Sequence, residues 1–387
     1  VTRTFDGHVR DDGTVGVRNH VLVVPTVVCA NAVVERLDRD GTPFMLVTHQ
    51  HGCGQVGDDL MLTERMLSGA ATNPNVGAVV IVSLGCESNQ PEAIAERAER
   101  HGRKAEIVRI QDHGGVTGAY EHVKACAERF ALELSGSTTE PTPLSELVVG
   151  LECGGSDSWS GLTANPALGW ASDQLVAAGA TVVLAETPEL IGAEHLLAER
   201  AGDPDVRERI LRAVERWEEH AQRTGVDVRG GQPAPGNIAG GLSTIEEKSF
   251  GAVQKGGTSP PVEVVDMGMR PTRRGLVLMD TPGQDIEQVT AMAAGGAQLV
   301  CFTTGRGTPT GSPIVPVLKI SSNPRTSVMF GEHIDVDAGR IATGDASVSE
   351  VGEEILAAII AVADGQRTAA ERGKHREFAI PRLWSSF

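Results

Sequence analysis

The sequence predicts an α/β protein of two domains built on parallel sheets, and three features of its 387 residues carry that expectation. Apolar runs of strand length alternate with helical patterns, as in βαβ units. Five of the runs open into polar, Gly-rich loops, HGCG, GCE, ECGGSD, DTPG and TTGRG. Aromatic residues make up only 3% while glycines number 46, so the core must be packed from small aliphatic side chains, as close α/β layers require.

The length allows two or three domains and a large core. A formal net charge of -17 disfavours nucleic acid or an anionic membrane surface as partner, because the field of the chain repels polyphosphate. It leaves room for a small anionic substrate in a locally positive pocket. There is no apolar run of transmembrane length and no signal-peptide pattern near the first residues, so the expected location is the cytoplasm. The six cysteines include no CxxC pair and are expected as reduced thiols, available to a metal or to catalysis.

Along the chain, residues 5–20 are polar and punctuated by glycine, and 20–28 read as a buried strand in which Pro25 argues against a central place in the sheet. Just ahead of it, Arg18 and Asn19 form a candidate carboxylate clamp. A helix over 31–39 and a strand over 43–48 lead to His49, His51 and Cys53, the densest group of soft ligands in the chain. After a helix over 58–67, the run 77–84 fits a parallel strand buried on both faces, and it ends in Cys86 and Glu87. Helix, strand and helix over 92–101, 106–110 and 116–132 complete the first domain, with Cys126 as packing. Residues 135–145, SGSTTEPTPLS, read as the linker, which places the domains at 1–135 and 146–387.

The second domain opens with a strand into the loop of 150–169, GLECGGSDSWSGLTANPALG, followed by a helix. In open α/β sheets the crevice beyond the strand ends binds ligands, and this loop offers Glu152, Cys153, Gly154, Gly155, Ser156, Asp157, Thr163 and Asn165. A strand over 181–185 leads to ETPELIGAEH, and 199–223 is a charged helical stretch. The Gly/Pro-rich loop 230–241 feeds a capping-box pattern at Ser243 to Glu246, which leaves Lys248 free to act elsewhere. The strand 275–280 ends in DTPG, which is similar to the DxxG of GTP-binding proteins, but the chain has no GxxxxGK[ST] to cradle phosphate. A helix over 287–294 and a strand over 297–302 deliver Thr304, Gly305 and Arg306, whose amides, hydroxyl and guanidinium suit a carboxylate. A strand over 314–318 leads to Lys319, and 350–363 is a C-terminal helix.

Loops at the same ends of parallel strands converge, and here they gather soft ligands (His51, Cys53, Cys86, Cys153), carboxylates and cations. His49, Asp157 and Lys248 are the candidate acid/base residues, with Arg18, Asn19, Gly154, Gly155, Ser156, Thr163, Asn165, Thr304, Gly305, Arg306 and Lys319 around a hydroxy-acid substrate. The chemistry such a set serves best is proton abstraction beside a carboxylate, followed by loss of a leaving group. Two metal forms remain open: a mononuclear divalent ion held by His, carboxylate and thiolate, or an iron-sulfur cluster held at three corners by Cys53, Cys86 and Cys153.

GHVRDDGTVGVRNHVLVVPTVVCAN, HQHGCGQVGDD, NPNVGAVVIVSLGCE, GLECGGSDSWSGLTANPALG, ETPELIGAEHLLAERA, PGNIAGGLSTIEEKSFGAVQKGG, LVLMDTPG and TTGRGTPTGSP together resemble the altronate/galactarate dehydratase family, over roughly residues 5–344. The resemblance implies iron-dependent β-elimination of water from a sugar acid to a 2-keto-3-deoxy acid. It also implies a Rossmann-like C-terminal domain with a parallel sheet flanked by helices, a preceding domain that forms a homodimer, and a small SAF-domain subunit on a second chain. The same family includes the sulfolactate sulfo-lyase large subunit, which releases sulfite from a 2-hydroxy acid, so a carbon-sulfur lyase and an inactive binding subunit that needs a partner chain are the alternatives. His8 and Thr14 depart from the Tyr and Arg of the family's opening block, so substrate identity does not carry over.

Overall fold

The computed structural model describes residues 3–228 and 233–387. Two parallel sheets dominate it. In the first half, β3 (His20–Pro25), β4 (Met45–Leu46), β5 (Val76–Ser83) and β6 (Lys104–Arg109) order as β4-β3-β5-β6. In the second, β8 (Val148–Cys153), β9 (Thr181–Leu184), β10 (Pro261–Asp266), β11 (Gly275–Asp280), β12 (Leu299–Thr304), β13 (Val317–Ser321) and β14 (Val336–Asp337) form a seven-stranded sheet, β10-β11-β9-β8-β12-β13-β14. Every neighbouring pair in it is parallel. Helices flank this sheet, as the sequence predicts for an α/β protein.

The long runs form strands for the reason they were legible: all eight residues of β5 are buried, so both faces are covered. Pro25 ends β3 rather than interrupting it, so β3 takes an interior place between β4 and β5 despite the proline. The expected linker is partly ordered. Its residues Glu140–Pro143 form β7, which pairs antiparallel with β1 (Thr4–Val9), and β2 (Val15–Gly16) completes a three-stranded sheet. Prolines are tolerated there because β7 is an edge strand. Of the loop 230–241, residues 230–232 lie outside the described residues and Pro235–Ala239 form a helical turn. The helix cap falls one residue later than the sequence suggested: Thr244 accepts from Glu247 N, and the Glu247 carboxylate accepts from Ser243 N and Oγ.

The two halves share apolar core. Leu22 and Ile81 of the first sheet belong to one buried cluster with Val277, Val300 and Phe302 of the second. Helix Gly57–Ala71 lies so close to helix Asp285–Ala294 that a Cβ at Gly69 would come within 2.5 Å of Ala294 O. Polar groups close the seam: Asn73 Nδ2 donates to Ala293 O (2.7 Å) and Ala297 O (2.8 Å), and Asn75 Nδ2 to Gln298 O (2.8 Å). No helix among the described residues is long and apolar enough to cross a membrane.

Candidate active site

Connections leave β8 and β12, neighbours at the centre of the large sheet, in opposite directions: β8 leads to β9 on one side and β12 to β13 on the other. Such a switch point opens a crevice beyond the strand ends. The loop after β8 and the loop after β12 close onto one another there. Gly155, at φ +60, offers its carbonyl to Gly305 N (3.2 Å) and Arg306 N (3.0 Å). Glycine is required at two contacts: a Cβ at Gly305 would come within 2.3 Å of Asp157 Cγ, and one at Gly154 within 2.1 Å of Asp285 Oδ2.

Around Cys153 lies a network of titratable groups. Glu186 follows β9 directly, in the left-handed conformation (φ 71) that is unfavourable for a residue with a Cβ. Its carboxylate accepts from Cys153 N (2.6 Å) and pairs with the Lys255 ammonium, both side chains being at most 1% exposed. Thr281 Oγ1 accepts from Glu186 N (2.9 Å) and so anchors the strained backbone. One layer outward, Lys248 Nζ pairs with Glu189 Oε1 at 2.6 Å, with 13% and 11% of the side chains exposed. The Cys153 thiol lies 3.3 Å from Glu189 Oε2 and 3.6 Å from Glu186 Oε2, and accepts from Ser156 Oγ at 3.7 Å.

The electrostatics sort these groups into two layers. Burial pushes the Glu152 carboxyl well above its usual range, and the carboxylates of Glu186 and Asp285 push it the same way. Burial opposes the charge of Lys255, but the carboxylate of Glu186 in contact with it, and that of Glu189 beyond, outweigh burial and hold Lys255 as an ammonium. For Lys248, burial is likewise overcome by Glu189, and its pKa is raised. Burial, then Glu186, raises the Cys153 thiol far above its ordinary value, so at neutral pH it is protonated. Asp285, at the first turn of helix Asp285–Ala294, is pushed up to about 7 by burial and then by Glu189 and Glu186. A carboxyl that titrates at neutral pH beside an ammonium and a second carboxylate is suited to general acid–base work.

Cys153, Glu186 and Glu189 bring their ligand atoms within 4.8 Å of one another, which invites comparison with a metal site. The group does not fit one as it stands. Each carboxylate is already neutralised by a lysine, and the thiol is protonated, so an ion would have to displace two ammonium groups and a proton.

The other residues singled out in the sequence are placed as follows. Ser156, Asp157, Asn165 and Lys248 line a cleft of about 270 Å³ beside the network. Asp157 has both carboxylate oxygens engaged, Oδ1 accepting from Ser160 N and Ser322 Oγ and Oδ2 from Asn323 Nδ2 (2.9 Å), so it braces the loop. Thr163 Oγ1 donates to Ser322 O (2.8 Å), and Asn165 Nδ2 to Gly251 O (2.9 Å), which ties the helix Ile245–Val253 to the helix Ala164–Ala177. Thr304 Oγ1 accepts from Gly307 N (2.9 Å), so the amides of 305–307 are satisfied within the protein. Arg306 alone of that loop keeps an exposed cation, with one hydrogen bond from Nη1 to Gly236 O (3.1 Å). Lys319 is fully buried, its Nζ 5.9 Å from the centroid of the Phe302 ring and without a hydrogen bond; burial brings its pKa down to about 8.

Among the described residues, those singled out in the first half make their hydrogen bonds away from this network. Arg18 grips a carboxylate bidentately, as its type suggests, but that of Glu371 (2.8 and 2.9 Å), and Asn19 binds Leu134 O and Ser137 Oγ. His49 Nε2 lies 2.7 Å from Pro25 O and its Nδ1 accepts from His51 N; burial lowers its pKa to about 4. His51 Nε2 lies 2.7 Å from Ile380 O. Cys53 and Cys86 are exposed on the smaller sheet, whereas Cys153 is buried in the larger one. Reading the sequence missed Glu186, Glu189, Lys255 and Asp285. Glu186 carried the same signal as the residues that were chosen, a carboxylate just beyond a parallel strand; Glu189 lies in the turn that follows, Lys255 follows a helix and Asp285 opens one, and nothing local marks them.

Fold and site together define an α/β protein with a buried network of carboxylates, lysines and a thiol at a sheet switch point. The chain belongs to the galactarate/altronate dehydratase family: residues 144–386 match the model described as D-galactarate/altronate dehydratase, C-terminal, and residues 7–135 the model described as D-galactarate dehydratase/altronate hydrolase, second domain. It is 39% identical over 388 residues to an altronate dehydratase of Bacillus subtilis, covering 98% of this chain and 77% of the relative. It is also 39% identical to the (2R)-sulfolactate sulfo-lyase subunit beta of Chromohalobacter salexigens (99% and 98%), and 37% identical to a galactarate dehydratase (L-threo-forming) of Escherichia coli (97% and 76%). The enzyme class these relatives share is lyase.

Proposed function

We propose that the chain removes water from a sugar acid. Its substrate is a hydroxy acid whose carboxylate is met by Arg306 at the mouth of the crevice, with carbon 2 directed toward Asp285 and the Lys248–Glu189 pair. A base takes the proton from carbon 2, the hydroxyl of carbon 3 leaves with a proton as water, and the enol returns to the keto form, a 2-keto-3-deoxy acid. These transfers are assigned to Asp285 and Lys248, whose shifted pKa values support that assignment. Lys255, Glu186 and Glu152 act from behind as positioning residues that set the charge of the outer layer. The observation that carries the reading is the convergence of an Asp285 carboxyl near neutrality and two lysine–carboxylate pairs at the β8–β12 switch point. The family resemblance adds iron, a homodimer and a small SAF-domain partner chain to the proposal. Iron finds no free donor set in this network, so no step is derived through it.

The test is to incubate the purified chain, anaerobically and supplied with Fe(II), with altronate, galactarate or sulfolactate, in the presence and absence of an SAF-domain partner. A 2-keto-3-deoxy acid from altronate or galactarate is the expected product. Sulfite from sulfolactate, with no keto acid from the sugar acids, would instead make the chain a carbon-sulfur lyase. Inertness toward all three under both conditions would reduce it to a binding subunit.

A further inference from the structure

Three neighbouring strands of the smaller sheet, β4, β3 and β5, are parallel, so their carboxyl ends share one edge. Each leads into a loop that carries one cysteine: Cys29 in the turn Val28–Ala30 after β3, Cys53 after β4 and Cys86 after β5. These three are the exposed cysteines of the chain, all free thiols, while Cys126, Cys153 and Cys301 are buried.

The loops are locked to one another close to the thiols. Val28 N donates to His51 O (2.9 Å) and Ser88 N to Gly52 O (3.0 Å), so each cysteine lies within two residues of a backbone bond to a neighbouring loop. Gly52, at φ +99, approaches so closely that a Cβ there would come within 2.1 Å of Thr26 O. Glu87 sets the third loop: its carboxylate accepts from Gly85 N (2.8 Å), Cys86 N (2.9 Å) and Leu84 N (3.2 Å), and from Thr26 Oγ1. A carboxylate turned inward onto its own loop leaves the adjacent thiol facing out. The two histidines of the region have their rings bound to backbone, which removes them as competing ligands.

The three sulfurs are not all within 4.8 Å of one another. A single tetrahedral ion, with bonds of about 2.3 Å to sulfur, needs them closer, at about 3.8 Å. A cube of irons and sulfides, with one thiolate to each of three irons, holds its cysteines farther apart.

We propose that Cys29, Cys53 and Cys86 hold a four-iron, four-sulfide cluster whose fourth iron has no protein thiolate and takes an oxygen ligand. This places the iron of the protein at the edge of the first sheet and leaves Cys153 out of it. The assignment does not depend on which substrate the lyase takes, because assembly is read without turnover.

The experiment is anaerobic purification of the full chain, reconstitution with Fe(II) and sulfide, and measurement of bound iron, acid-labile sulfide, visible absorption and the paramagnetic resonance of the reduced sample. The expected result is about four irons and about four sulfides per chain with a broad sulfur-to-iron charge-transfer band. Cys29→Ser, Cys53→Ser and Cys86→Ser should each lower iron and sulfide at least about fivefold, while Cys153→Ser keeps both. Circular dichroism and thermal melting establish that the variants are folded, as exposed Cys→Ser changes predict. One iron without sulfide in the unsubstituted protein, full cluster content in Cys29→Ser, or its loss in Cys153→Ser would each overturn the assignment.

Discussion

The two parallel sheets end in the same kind of loop, glycine beside cysteine beside carboxylate, and use them in opposite ways. At the edge of the smaller sheet, Glu87 is consumed by its own loop: burial would raise its pKa, but hydrogen bonds from side-chain hydroxyls, Thr26 among them, and then from backbone amides outweigh burial and lower it, while the neighbouring thiols are exposed. At the edge of the larger sheet the thiol is buried and protonated, and the carboxylates of Glu186 and Glu189 face lysines. The same sequence vocabulary, GCE in one loop and ECG in the other, therefore ends in opposite environments. What differs is desolvation and the sign of the nearest charge.

The largest expected effect tests whether protons are exchanged at the second edge. Asp285→Asn should lower keto-acid formation about 10²–10⁴-fold and remove the pH dependence near 7 from kcat/KM. Its effect on stability has a defined sign. The folded pKa is raised from 3.8 to about 7, so the stabilising contribution of Asp285 is complete below the unfolded value and is lost as pH rises to about 7. The Asn variant should thus be more stable than the parent at pH 8, by on the order of 2–4 kcal/mol, and lose that advantage toward pH 4, as read by urea unfolding at each pH.

Breaking the inner ion pair comes next. Lys255→Met leaves Glu186 buried without a counter-charge and should cost about 3–5 kcal/mol in denaturant unfolding, with much of it restored by adding Glu186→Gln. If the single and double variants were equally destabilised, the pair would not be what holds the layer together. Gly305→Ala should cost about 1–3 kcal/mol because its methyl meets Asp157, and activity should fall with the loop contacts it displaces. The smallest change in fold and a clear change in function are expected from Arg306→Ala: unfolding altered by less than about 0.5 kcal/mol, and kcat/KM lowered about 10–100-fold through loss of a charge-assisted contact to the substrate carboxylate.

Much of this was legible in one dimension. Residues 77–84 read as a doubly buried strand and became Val76–Ser83, and the ECGGSD loop fell at the switch point where it was sought. Cys153 and Arg306 were noticed because a thiol or a guanidinium beyond a strand end is unusual, and Lys248 because the capping pattern ahead of it left it free to act elsewhere. Asp157 was noticed as a carboxylate beyond a strand and Arg18 as a carboxylate clamp ahead of one, but their partners, Asn323 and Glu371, are distant in sequence and satisfy them inside the protein. β10 and β14 were not read as strands: the first has three of its six residues incompletely buried, and the second is two residues long.

Hydrophobic period and turn chemistry, which act between near neighbours in the chain, determined the α/β class, the alternation of elements and the loops that end the strands. Only tertiary structure decided which charges meet. Strand order brings Cys153 to Glu186, Glu189 and Asp285, and sets Cys29 on one edge with Cys53 and Cys86. The physical reason is that a carboxyl or thiol takes its pKa and its partner from atoms a few ångströms away in space. For the groups that matter here those atoms belong to strands tens to more than a hundred residues distant along the chain.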